Sequence, residues 1–338
     1  MSQKHRLPRH APIVVTTRGD HTENLHYGSF AVVDREGRLL AGHGDVDFPV
    51  FTRSALKPLQ AVPLVSHPRF DELALTPAEI ALLCASHNGE SRHVDTARSL
   101  LARAALSEAA LQCGIHAPYW YAHNDGRPPA DARWSSLHHN CSGKHAGMLL
   151  LAWLSGAATS NYLDPNHPVQ VAIARAVAHA CGVAEVSAMP CGTDGCSAPN
   201  YALPLAALAR GAAWLTRAEP DAVYGAAPQR IFAAMAAHPE MVSGEGRHDL
   251  DLALAGAGDW IAKVGAEAVQ IVACRSRGLA VAVKIADGSP RALTVATCAV
   301  LDRLGLLDEP RRARLSRWAE VPIRSIRGVE VGRMAPLV

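Results

Sequence analysis

The chain has 338 residues, 49% of them hydrophobic, with 33 basic and 31 acidic residues and a formal charge of +2. That size supports a substantial core in one large unit or two moderate ones, and the nearly balanced charge, with arginines scattered among acids, excludes a nucleic-acid footprint. No apolar run reaches transmembrane length, and residues 1–10 are polar with no apolar h-region, so a cytoplasmic protein with no membrane partner is expected.

In chain order, residues 12–17 and 29–34 read as strands. The turn Asp34-Arg35-Glu36-Gly37 leads to a third strand at 38–42, which makes an N-terminal meander. Thr76-Pro77-Ala78-Glu79 is a capping box with Pro at the first helical position, opening a helix that runs through Cys84. Further helices are expected at 93–105, 144–154, 167–181 (closed by Gly182) and 203–214. Residues 268–274 and 279–285 flank Arg275-Ser276-Arg277-Gly278 as a hairpin, and 324–334 reads as one more strand. Terminal strands enclosing a helical middle predict an α+β fold. Residues 1–338 would form a single catalytic unit, with 10–60 and 255–338 as the sheet-forming lobe, 61–254 as a mostly helical lobe, and a cleft between them.

Lysine is scarce. Only Lys4, Lys57, Lys144, Lys263 and Lys284 stand among 33 basic residues, the rest being Arg. Guanidinium keeps its proton near neutral pH, whereas an ammonium can be tuned by burial to act as a base or even a metal ligand. Lys4 is a tail residue and Lys284 reads as an outward strand residue of secondary interest. The other three lie in short motifs. Arg53-Ser54-Ala55-Leu56-Lys57 puts a hydroxyl and an amine on one face of a helix, the Ser-x-x-Lys arrangement of nucleophilic acyl transfer, although Pro58 disfavours helix at Lys57. Ser86-His87-Asn88-Gly89-Glu90 ends an apolar helix abruptly, as a polar cluster aimed into a cleft would. Lys263-Val264-Gly265 sets a lysine beside a glycine that lets a substrate approach strand backbone.

The 8 cysteines are read as thiols in a reducing compartment rather than as a disulfide framework. Cys84, Cys181, Cys274 and Cys298, and less firmly Cys113, sit in apolar segments as small core residues. Cys141, Cys191 and Cys196 are embedded in Gly, Asn, Asp and Ser, the composition of tight functional loops. Thiolates near nitrogen and oxygen donors suit Zn²⁺, and the lack of a Cys-x-x-Cys pair argues against a zinc ribbon.

Taken together, these motifs resemble the Rhizobium-type L-asparaginases (the asparaginase II, or thermolabile asparaginase, family), whose fold is similar to serine β-lactamases and glutaminases. The likeness runs through Thr17-Arg18-Gly19, Arg53 to Pro58, Ser86 to Glu90, Asn140 to His145, Asp194-Gly195-Cys196, Pro199-Asn200 and Lys263 to Glu267. It implies hydrolysis of L-asparagine to aspartate and ammonia, with Ser54 as nucleophile, Lys57 as its base, and Ser86 with Lys263 as a second Ser–Lys pair. It also implies a zinc held by Cys141, Cys196 and Lys144, with Asp194 beside it, and a homodimer. Arg53 is a candidate clamp for a substrate carboxylate, and His87, Asn88 and Asp194 are further substrate-binding candidates. The chain departs from the family pattern at Glu23-Asn24-Leu25-His26, where Asn stands for Ser, and the β-lactamase-type Lys-Thr-Gly appears as Lys263-Val264-Gly265. Alternatives are a glutaminase or another Ser-x-x-Lys amidase, and a zinc or thiol sensor built on Cys141, Cys191 and Cys196.

Overall fold

The computed structural model describes residues 7–338, so Lys4 lies outside the described residues. Its strands are β1 (Ala11–Arg18), β2 (His21–Asp34), β3 (Leu39–His43), β4 (Pro49–Phe51), β5 (Cys191–Thr193), β6 (Pro199–Pro204), β7 (Trp260–Gly265), β8 (Val269–Cys274), β9 (Leu279–Ile285), β10 (Val321–Arg324) and β11 (Glu330–Pro336). One antiparallel sheet runs β10-β11-β1-β2-β9-β8-β7, with β3 also paired to β2. The ends of the chain meet at its centre, where β2 pairs β9 from Gly28 opposite Ile285 to Asp34 opposite Leu279. A small second sheet, β4-β6-β5, stands apart.

Over the second half of β2 and along β7 to β9 the sheet is buried on both faces, and its period-two alternation there divides the side chains between two cores. On β9, Ala280 and Ala282 enter the larger core while Val281 and Val283 enter the smaller, and Ala31 and Val33 oppose Phe30 and Val32 on β2 in the same way. The helices are α1 (Lys57–Gln60), α2 (Val62–Val65), α3 (Pro77–Leu83), α4 (Ser91–Ala102), α5 (Tyr119–His123), α6 (Ser142–Leu154), α7 (Pro168–Cys181), α8 (Leu205–Trp214), α9 (Ala227–Ala237), α10 (Pro239–Val242), α11 (His248–Ala255), α12 (Pro290–Arg303) and α13 (Glu309–Ala319). Helices α1 to α4 and α6 to α10 supply the larger core, and α11 to α13 cover the other face of the sheet. The result is a mixed α+β fold.

Local signals hold where the chemistry is local. Thr76 Oγ1 accepts from Glu79 N at 3.3 Å while Thr76 N donates to Glu79 Oε2 at 2.8 Å, and Gly182 closes α7 at φ 66°. Other expectations are corrected. The strand expected at 29–34 begins at His21, because its first half is largely exposed and carries no apolar alternation. Residues 324–334 form two strands rather than one, β10 turning back on β11. Residues 199–204 are strand β6, so the helix expected from 203 starts after Pro204. Lys263 lies within a strand of its own, β7, at the edge of the sheet. Among the described residues, no helix is long and apolar enough to cross a membrane.

Candidate active site

Five segments converge beside the β7 edge. The first is the turn at Ser54. Residues Arg53–Leu56 form a 3₁₀ turn, after which α1 starts at Lys57 with Pro58 in its first turn, where a missing N–H costs nothing. Arg53 holds φ 49°, a left-handed conformation costing a non-glycine residue roughly 1–2 kcal/mol. Two contacts sustain it: Arg53 N donates to Asn200 Oδ1 at 3.2 Å, and its Nε donates to Asp194 Oδ1 at 2.7 Å. Gly265 of β7 packs directly against this turn. A Cβ there would lie 2.8 Å from Thr52 O and 3.0 Å from Ala55 N, so the glycine permits the close approach anticipated for it, though what approaches is the chain itself.

The second segment is the loop after α3. Its backbone is clamped from two sides, Ser86 N donating to Val242 O at 2.9 Å, Asn88 N to Ser243 O at 2.7 Å, and His87 N to Asn140 O at 3.1 Å. The third is the start of α6, pressed so closely on the end of α3 that a Cβ at Gly143 would collide with the Leu82 carbonyl. The fourth is the β5–β6 hairpin with Asp194 and Cys196, and the fifth is β7 with the start of α11.

The Lys57 amine is the hub. Only 1% exposed, it donates to Ser86 Oγ at 2.8 Å, Ala85 O at 2.5 Å and Cys141 Sγ at 3.1 Å. The hydrogen-bonded Ser–Lys pair therefore crosses the two motifs. Among the described residues Lys57 makes no hydrogen bond to Ser54, and Ser86 makes none to Lys263. Burial lowers the Lys57 pKa, opposed by the Cys141 sulfur and assisted by the charge of Lys144. Lys263 is fully buried and donates to Val264 O at 2.7 Å. Burial drives its pKa well down against the attraction of Asp249, and the charges of Lys57 and Arg247 add to the drop. Both amines therefore release a proton more readily than a free lysine does.

Ser54 is half-buried, and its side chain makes no hydrogen bond among the described residues. It lines a cavity of about 580 Å³ together with Ser86, Tyr119 and Asn140. The preceding residue, Arg53, lines a neighbouring cavity of about 500 Å³ with Asp194, Asn200 and Lys284, and Glu267 borders both. His87 and Asn88 do not line either cavity. Both are fully buried, His87 Nε2 facing Ser142 Oγ at 2.8 Å and Asn88 Nδ2 donating to Glu245 O at 2.8 Å, so they fix the loop that carries Ser86. Lys284 is only partly exposed, and it fastens the β7–β8 turn by donating to Glu267 O.

Sequence reasoning missed Arg247 and Asp249. Arg247 Nη1 donates to Ser86 O at 2.8 Å, and its Nε lies 3.4 Å from Asp249 Oδ1, so a buried ion pair backs both Ser86 and Lys263. An acid in the first turn of a helix is ordinary, and nothing in the sequence marks this one out.

Behind Lys57, Cys141, Cys196 and Lys144 come together, all buried, with Lys144 Nζ donating to Cys196 Sγ at 3.0 Å. The neighbouring Cys141 thiol, with the charge of Lys144 and the nearby His145 ring, holds the Cys196 pKa far below its ordinary value. The Cys196 sulfur, with burial, raises Cys141. Burial alone would lower Lys144, but the two sulfurs outweigh it and raise its pKa. Among the described residues no three His, Cys, Asp or Glu side chains group to hold a metal, so a site here needs the lysine. The donors do fit zinc: sulfur and nitrogen ligands of one tetrahedral ion lie roughly 3.6 Å apart, so Lys144 and Cys196 need to spread only about 0.6 Å. Cys191 is exposed, unlike the two buried thiols.

An antiparallel sheet flanked by helices, with three buried lysines gathered beside its β7 edge, defines an α+β protein. The sequence profile of L-asparaginase II matches residues 14–336, and the chain belongs to that family. The family places it among amidohydrolases. No curated protein matches the chain. Solved structures show distant likeness. The native form of Mglu is 13% identical, with 83% of this chain and 65% of that one covered and a TM-score of 0.47. A beta-lactamase from Mycobacterium bovis is 17% identical, with 82% and 94% covered and a TM-score of 0.34. This chain thus spans less than two thirds of the length of Mglu.

Proposed function

We infer that the protein is an L-asparaginase that hydrolyses the side-chain amide of L-asparagine through a serine ester. The observation that carries this reading is one cavity lined by both Ser54 and Ser86, with the buried Lys57 amine 2.8 Å from Ser86 Oγ. Ser54 faces the cavity with its hydroxyl uncommitted, which suits the attacking group. Ser86, 3% exposed and bonded to Lys57, suits a proton relay. Neutral Lys57, one 3₁₀ turn from Ser54, takes its proton as the oxygen attacks the amide carbon. The proton then passes through Ser86 Oγ to the leaving nitrogen, the C–N bond breaks, and water hydrolyses the ester. As a first-turn residue Ser54 has no intrahelical acceptor for its own N–H, which can donate to the developing oxyanion. Arg53, beside Asp194, presents a guanidinium to the substrate's carboxylate.

Cys141, Cys196 and Lys144 would hold a zinc, which supplies a fixed positive charge to orient the substrate and polarise its oxygen. The bond between Lys57 and Cys141 Sγ couples that set to the serine pair.

The Lys57–Ser86 bond favours one second assignment, in which Ser86 attacks and Ser54 relays. Trapping the acyl-enzyme with a slow ester substrate and mapping the labelled peptide separates the two. Label at Ser54 supports the first assignment, and label at Ser86 overturns it.

A further inference from the structure

Two neighbouring cavities, both bordered by Glu267, differ in chemistry. On one side Arg53, Asp194 and Lys284 make a charged chamber suited to the ammonium and carboxylate of an amino acid. On the other, the cavity continues past Ser86 and over the β7–β8 turn to a wall formed by Ala266, Pro290, Leu293, Trp318 and Val321. An amide nitrogen that leaves as ammonia uses almost none of this space. Volumes near 580 Å³ are those of sites that enclose much larger ligands.

The wall is built rather than loose. Trp318 Nε1 donates to Asp251 Oδ2 at 2.8 Å, and its ring meets His248 edge to face with centroids 5.9 Å apart. Arg317 is committed to the same Asp251 carboxylate at 2.7 Å. Arg291, exposed in the first turn of α12 and lining the cavity, makes no ion pair among the described residues. An apolar chamber with an uncommitted cation at its rim, opening onto the serine that protonates the leaving nitrogen, fits an amine bearing both an apolar group and a carboxylate.

We propose that this chamber is a leaving-group subsite, and that the protein cleaves β-aspartyl dipeptides whose second residue is apolar or aromatic. The inference rests on the asparaginase reading. Ser54 Oγ bonds to the β-carbonyl carbon, the isopeptide C–N bond breaks, and Ser86 delivers a proton to the departing amino group. Water then hydrolyses the ester to aspartate. The apolar side chain packs on Trp318 and Leu293 while its carboxylate faces Arg291.

The test compares kcat/KM for L-asparagine, β-aspartyl-phenylalanine and β-aspartyl-glycine in the wild-type protein, Trp318→Ala and Arg291→Glu. The expected result is release of phenylalanine by the wild type at least about tenfold more efficiently than glycine. The ratio of the phenylalanine dipeptide to asparagine should fall at least about tenfold in each variant. Arg291 is exposed, so its variant reports even where Trp318→Ala disturbs the fold. Ammonia release from asparagine with no dipeptide cleavage, or with a ratio unmoved by both variants, overturns the subsite and leaves the asparaginase reading standing. Release from neither substrate overturns both.

Discussion

Substituting Gly265→Ala perturbs the serine turn without touching a reacting group. The added Cβ would stand 2.8 Å from Thr52 O, 3.0 Å from Ala55 N and 3.2 Å from Arg53 Cβ. Carbon contacts settle near about 3.5–4.0 Å, and the first two neighbours are backbone atoms that cannot rotate away, so the turn must retreat from β7 by about 0.5–1 Å. Overpacking of this kind costs about 1–3 kcal/mol of stability. A displacement near 1 Å at a nucleophile costs up to about 10²-fold in rate. The measurement is kcat for ammonia release beside a thermal melt and zinc analysis on one preparation. The expected outcome is a 10- to 100-fold loss of kcat, on the order of the estimate above, with metal content unchanged, since the sulfur set does not touch Gly265. Wild-type kcat and Tm in the variant would refute the idea that β7 positions Ser54.

Three further outcomes follow from the same geometry. Lys57→Met removes the proposed base and should lower kcat/KM by about 10²–10⁴-fold, while Tm holds or rises because a buried polar amine is replaced by an apolar chain of similar reach. Lys144→Arg leaves a group that cannot be a neutral ligand, so inductively coupled plasma analysis should find zinc lost; full zinc and full activity would remove the lysine from the ligand set. His145 is fully buried, and burial, opposed by the neighbouring Cys196 sulfur, lowers its pKa from 6.5 to about 4. The unfolded chain then binds the extra proton first as pH drops, so in the metal-free protein its share of stability is complete above about pH 6.5 and is lost as pH falls to about 4, a loss near 3 kcal/mol. Denaturant melts of wild type and His145→Asn across that window check the sign, and a variant with the same pH slope as wild type would contradict it.

Much of the fold was legible because its signals are local. The Thr76–Glu79 box, the Gly182 cap and the Arg275–Gly278 hairpin each depend on a few adjacent residues. The strands β4 and β5 are only 3 residues long, too short to show alternation, and the first half of β2 is mostly exposed. At the site, residue types were readable but partners were not. Spacing put Ser54 beside Lys57, whereas tertiary clamping of the loop after α3 brings Ser86 to the Lys57 amine. The left-handed Arg53 is equally invisible in sequence, since it is maintained by Asn200 and Asp194 from a hairpin more than a hundred residues away. The three lysines that scarcity singled out, Lys57, Lys144 and Lys263, are all buried, each in different company.

The central claim is that a serine at the edge of the sheet, with its neighbouring lysine, opens the side-chain amide of asparagine. Ammonia release from L-asparagine by the wild-type protein and by Ser54→Ala, with zinc measured in both, tests it most directly. The account predicts steady release by the wild type, and a fall of several orders of magnitude in a variant that melts normally and keeps its metal. Near-normal release by Ser54→Ala, or none by a folded, zinc-loaded wild type, would contradict it.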